Sequence, residues 1–230
     1  MFRKEFEISK NIIDDGFNSG LVEMAKFDGI HEIPILDWPK EIIIPAGLIP
    51  FSQRRKSEDM SEFVHFYEHD LTFRDVLVST EEYVDDLKCF AGIITPDCSL
   101  YRDMPLVLQF VNVYMSRAIG HYFQQQGMYV IPNVRWGDER TYTSEACGEK
   151  VAFLGIPKQS IVSIGTYGCI KSAEDKYYFK AGLEAMLEEL APRVVLVYGA
   201  MPDSVFGGLT SYTEFHQYPD WISQRRRKAT

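Results

Sequence analysis

Apolar positions along the chain follow two rhythms. Short β-branched or aromatic runs stand at 41–47 (EIIIPAG), 63–70 (FVHFYEHD), 90–95 (FAGIIT), 128–134 (MYVIPNV), 160–166 (SIVSIGT) and 193–199 (RVVLVYG). Several are apolar almost without interruption, as strands covered on both faces of a parallel sheet require. Helical patterns lie between them. Residues 104–126 set Val107, Phe110, Val111, Tyr114, Ala118 and Tyr122 on one stripe, with Asp103 placed as a cap, Pro105 in the first turn and Gly127 just past the end. Residues 178–190 repeat the pattern through Phe179, Leu183, Met186, Leu187 and Leu190, and 79–90 opens with an S-x-x-E capping signature.

Strands recurring about every 20 to 40 residues with helices between them have the rhythm of βαβ units. The expected fold is therefore α/β: a mostly parallel sheet of about six strands alternating with helices. It is either open and doubly wound or a reduced (β/α) barrel, since a full barrel of eight strands takes about 250 residues. The pattern predicts one domain over 1–230, with no internal repeat and with loops at 52–62 and at the basic tail, 224–230.

Composition narrows the classes. The chain is 46% hydrophobic and 25% charged, ordinary for a globular protein, with a net charge of −9. That balance argues against general adhesion to nucleic acid or to an anionic membrane. No apolar run reaches the ~20 residues of a membrane span, and no secretory h-region is visible, so the expected location is cytoplasmic. Cys89, Cys98, Cys147 and Cys169 are widely spaced without a C-x-x-C pair, which reads as reduced thiols rather than a zinc site. The run Arg225–Lys228 in the tail offers nucleic acid a weak, salt-sensitive contact.

In parallel α/β folds ligands bind outside the carboxyl ends of the strands. Those ends carry Glu68, His69 and Asp70; Thr95, Asp97 and Ser99; Asn133, Arg135, Trp136 and Asp138; and Thr166, Tyr167, Cys169 and Lys171. Glu68, Asp97 and Asp138 are the candidate catalytic carboxylates. Asp70, with Glu68 and Asp97, is the candidate ligand set for Mg²⁺ or Mn²⁺. Arg135 offers a planar fork to an anion, Trp136 and Tyr101 offer ring faces, and Ser99 and Asn133 supply polar contacts to a substrate. Each has a plainer use. Asp97 suits an Asx-turn, Asp103 a helix cap, and Arg135 and Asp138 could pair with each other.

The segments FVHFYEHDLTF, GIITPDCSLYRDMPLVLQFVNVYMSRAIGHYFQQQGMYVIPNVRWGDERTY, GIPKQSIVSIGTYGCIK and LAPRVVLVYG together resemble domain-of-unknown-function family 4417, found in phages, plasmids and their bacterial hosts. The resemblance spans about residues 41–205 and falls on Asp97, Ser99, Tyr101, Asp103, Pro105, Asn112, Arg117, Asn133, Trp136, Gly137, Gly168 and Gly199. The family pattern has two consecutive acids where this chain has Glu68, His69 and Asp70, and a phenylalanine where it has Cys98. The resemblance implies a mobile-element setting and brings no activity with it.

The leading expectation is a hydrolase or transferase acting on a nucleotide, nucleic-acid or glycosidic substrate through strand-end carboxylates. The alternative is a non-catalytic protein that binds a small ligand or a protein partner in host takeover, counter-defence or replication. The pattern does not set the oligomeric state.

Overall fold

The computed structural model describes residues 18–221 and Ser223. The basic tail at 224–230 lies outside the described residues. A short antiparallel pair, β1 (Phe27–Asp28) and β2 (Ile33–Pro34), leads into the parallel strands. Strands β3 (Leu48–Pro50), β4 (Phe63–His65), β5 (Gly92–Ile94) and β6 (Val130–Ile131) form a parallel sheet in chain order. Strands β7 (Ile161–Gly165), β8 (Val194–Tyr198) and β9 (Glu214–Tyr218) form a second, also parallel and in chain order.

A parallel bridge between Asn133 and Ser163 joins the two sheets. Val134 N–H donates to the Ser163 carbonyl and Ser163 N–H to the Pro132 carbonyl, both at 2.8 Å. The strand order never reverses, so the sheet is singly wound rather than doubly wound. It also curls. Leu48, Phe63, Ile94, Ile131, Ile161, Val194, Leu196 and Tyr198 share one inner cluster, against which Tyr218 packs. Tyr218 Oη donates to the Pro45 carbonyl, bringing the two outer edges near each other. Among the described residues β3 and β9 form no ladder, so the barrel stays open.

Strand alternation decides what covers each face. In β7 and β8, Ile161, Val194 and Leu196 point inward while Val162, Ile164, Val195 and Val197 point outward. The outward set is covered by α5 (Ala173–Leu190), the fifth of six α-helices among the described residues; the others are α1 (Arg74–Val78), α2 (Val84–Leu87), α3 (Leu106–Gln125), α4 (Glu139–Tyr142) and α6 (Asp203–Phe206). In α5, Phe179, Leu183, Met186, Leu187 and Leu190 are all buried as expected, each apolar side chain contributing roughly 1.5–3 kcal/mol of transfer free energy. The helix begins earlier than its apolar stripe, at a capping box in which Ser172 and Asp175 satisfy each other's backbone N–H.

Helix α3 covers the outer face of β4, β5 and β6 through Ala118, Ile119 and Phe123. Its expected stripe is displaced. Val107 and Val111 are exposed, whereas Gln109, Ser116 and Arg117 are buried, because the buried face of this helix carries polar groups that a hydrophobic count passes over. Gly127 follows the helix at φ 80°, the left-handed conformation expected of it. Asp103 is exposed and does not cap; the Ncap position falls on Pro105.

Two further expectations are corrected. Residues 41–47 form no strand, the first long-sheet strand starting at Leu48. Residues 79–90 split into a 3-10 turn (Thr80–Tyr83) and α2, and Ser79 makes no side-chain cap.

Candidate functional site

Three of the residues singled out from sequence meet at the carboxyl ends of β5 and β6. Asp97, only 8% exposed, accepts one hydrogen bond on each oxygen. Asn133 Nδ2 donates to Oδ1 at 2.8 Å and Arg135 Nη1 to Oδ2 at 2.9 Å. The amide of Asn133 is oriented from behind, since Tyr67 Oη donates to Asn133 Oδ1 at 3.1 Å and lies 2.6 Å from Ser163 Oγ. Asn133 N–H in turn donates to Thr95 Oγ1. A buried chain Ser163–Tyr67–Asn133–Asp97 thus ends on the Arg135 guanidinium.

The electrostatics follow from burial. Burial lifts the Asp97 carboxyl above the usual carboxylate range; Arg135 and Asn133 pull it back and nearby Asp70 pushes it up. Burial opposes the charge on Arg135, yet Asp97 beside it carries the guanidinium above its ordinary value. Burial also pushes the Cys98 and Cys169 thiols up, Arg135 partly offsetting this at Cys169, so neither is a ready thiolate. No disulfide joins Cys89, Cys98, Cys147 and Cys169.

Arg135 opens onto a cleft of about 150 Å³. Its walls come from the loops after β5 (Tyr101, Arg102), β6 (Arg135, Trp136) and β7 (Gly168, Cys169), with Tyr178 of α5 completing it. Tyr101 is 51% exposed at the rim. Trp136 is 7% exposed and packs on Phe179 with ring centroids 5.1 Å apart, so it is a wall rather than a free stacking face. Helix α5 approaches it at Gly182, where any Cβ would lie 2.2 Å from the Trp136 indole nitrogen.

The remaining candidates stand apart from the cleft. Ser99 donates to Asp70 through Oγ (2.8 Å) and backbone N–H (3.1 Å), tying the turn after β5 to the one after β4. Glu68 accepts from Ser52 N–H at 3.0 Å and from the Ser52 hydroxyl. Asp138 caps α4 and pairs with Arg140 at 2.8 Å, not with Arg135. Asn112 donates to the Ser99 carbonyl. Arg117, 2% exposed, donates to the carbonyls of Asn133, Ala152 and Leu154. Among the described residues no three His, Cys, Asp or Glu side chains converge as a metal site. None of those residues forms a helix long and apolar enough to cross a membrane.

Sequence reading passed over Arg102, Asp175, Tyr178 and Tyr67. The cap signature Ser172-x-x-Asp175 marks where Asp175 sits. Period-2 alternation after Phe63 places Tyr67 on the inner face, while Arg102 and Tyr178 meet only through tertiary packing.

A curled, singly wound parallel sheet with its polar chain and cleft at the strand carboxyl ends defines an α/β protein. The chain belongs to the family described as Domain of unknown function (DUF4417), whose model matches residues 25–219. It is 32% identical over 203 residues to the "Gene 1 protein" of Mycobacterium phage D29, covering 87% of this chain and 71% of that protein. It is 31% identical over 203 residues to the "Gene 1 protein" of Mycobacterium phage L5, covering 87% and 83%. The family is thus phage-associated. No solved structure matches.

Proposed function

We propose that this protein binds a small ligand carrying an oxyanion and a flat ring in the cleft between the loops after β5, β6 and β7. The observation that carries this reading is Arg135, held from behind by Asp97 and facing the cleft. A guanidinium offers five N–H donors, and Asp97 accepts from only one of its nitrogens. Tyr101 stands at the rim as the ring contact. At about 150 Å³ the cleft is smaller than the ~300–1,000 Å³ typical of drug-sized sites, so it takes the anionic group and leaves the ring at the open rim beside Tyr101.

None of Glu68, Asp97 and Asp138 lines the cleft, which favours binding over carboxylate catalysis. The test is calorimetric titration with nucleoside monophosphates, for the unaltered protein and for Arg135→Ala. Micromolar to millimolar binding lost by Arg135→Ala is the expected result; equal binding by both sinks the reading.

One observation favours a second reading, hydrolysis or group transfer. Asp97 is a buried carboxyl with a raised pKa, and such groups serve as general acids or bases. Asp97→Asn separates the two readings: a binder keeps its ligand within a few-fold, whereas an acid–base site loses turnover of a nucleotide or glycoside substrate.

A further inference from the structure

Helix α3 is apolar on the side it turns to solvent. Over Leu106–Gln125 its only ionisable groups other than termini are Arg117 and His121, and both are buried. Its exposed positions are Val107, Leu108 and Val111, at 66%, 50% and 49%, together on one face, and Gln125 at the far end. Helix α5 shows the ordinary arrangement: Glu174, Glu184 and Glu188 face solvent while its apolar stripe is buried. A helix without a charged face belongs in an interior. The outer side of the first half of α3 is open instead.

The apolar band runs past both edges of the helix. On one edge Asn112 donates to the Ser99 carbonyl, and Ser99 donates to Asp70, which brings Leu71, 81% exposed, to the side of α3 that carries Leu108. On the other edge the His31 ring packs edge-on against Phe110, centroids 4.6 Å apart, which brings Ile30, 79% exposed, to the side that carries Val107. These five side chains leave on the order of 500 Å² of apolar surface bare, near the upper end of the ~300–600 Å² typical of the largest patch on a monomer. Acids begin only at the rim. Asp70 is tied to Ser99, Glu149 is tied to His31 and the Ile30 N–H, and Asp103 stands exposed at the start of the helix.

We propose that a second copy of the chain docks on this face, the two α3 helices meeting across a two-fold axis. Each copy carries a net charge of −9, so two copies repel each other, least where the contact itself holds no charge. Recognition of a foreign partner draws on charged and polar groups matched across the interface, and the band offers none. A strongly apolar, charge-depleted centre is instead the composition of homodimer contacts. A two-fold contact also needs a face that accepts itself, as an uncharged one does. With its rim included, the band approaches the roughly 800 Å² that each partner gives to a standard interface. The proposal is independent of what the cleft binds.

The test is sedimentation velocity on the full chain. Contacts of this size reach dissociation constants in the micromolar range or below, so the unaltered protein should pass from monomer to dimer between about 1 and 200 µM. Leu108→Glu and Val111→Glu should each weaken association by about tenfold or more. Both positions are open to solvent in the monomer, so the melting temperature of dilute protein should stay unchanged. Tyr212→Glu, at an exposed ring outside the face, should leave association as it is. Mixing Leu108→Glu with Leu108→Lys should restore a dimer that neither forms alone, because across a two-fold axis the band meets itself. A monomer at every concentration overturns the second copy and leaves the face to a different protein. A dimer indifferent to both glutamates overturns the choice of face. Charge variants that associate no better mixed than apart overturn the two-fold contact.

Discussion

Arg117, fully buried, and Arg135, half-buried, line the same small void, yet they do opposite things. Arg117 has no carboxylate partner. It spends its donors on the carbonyls of Asn133, Ala152 and Leu154, stitching α3 to the sheet and to the 3-10 turn before β7, and burial alone lowers its pKa to about 10. Arg135 has one carboxylate, Asp97, and a face on the cleft. A buried cation satisfied by backbone is a fastener, whereas one anchored by a single acid keeps donors for something that arrives later.

The sharpest way to break that distinction is Arg117→Met. It leaves three buried carbonyls without their donor, and the expected cost is about 3–5 kcal/mol, a fall in Tm of roughly 10 °C or more by calorimetry. A Tm within a degree or two of the unaltered protein would show that Arg117 fastens nothing. Asp97→Ala follows, at about 2–3 kcal/mol, because it strands Arg135 as an unpaired, half-buried charge. Arg135→Ala should cost less, about 1–2 kcal/mol, since the Asp97 carboxyl it leaves is already biased by burial toward its neutral form. If Arg135→Ala melts below Arg117→Met, the two roles are reversed.

The smallest effect is one of pH. Raised by burial, the Asp97 carboxyl contributes stability that is fully present below its unfolded value of 3.8 and lost as pH rises through its folded pKa. Glu149 has the opposite sign. His31 beside it and the N–H of Ile30 hold its carboxyl below 4.5, so its contribution is present above that value and lost as pH falls through the folded pKa. Urea melts across pH 3–6 should therefore show a shallower acid loss for Glu149→Gln and a steeper one for Asp97→Asn. Parallel curves would contradict both assignments.

The fold was legible where burial on two faces demanded unbroken apolar runs, as in Ile161–Gly165 and Val194–Tyr198. It was illegible at β9, whose EFHQY reads as a polar loop. An edge strand pairs on one side only and is partly open to solvent, so Glu214 and Gln217 stay exposed while the backbone pairs with β8 in full register and Phe215 and Tyr218 pack on opposite faces. Ile42 and Ile43 mislead in the other direction, packing against the inner cluster from irregular chain. In the site, Asp97, Asn133 and Arg135 were each visible as residues at strand ends. Their pairing was not, because it depends on the register of β5 with β6 and on Tyr67 reaching across from β4.

Asn133 occupies two positions at once. Its backbone makes the bridge at which the four-stranded and three-stranded parts meet, and its side chain holds Asp97. The joint of the sheet and the hinge pin of the cleft are therefore one residue. A change at Asn133 disturbs the seam between the two halves of the sheet and the anchor of Arg135 together.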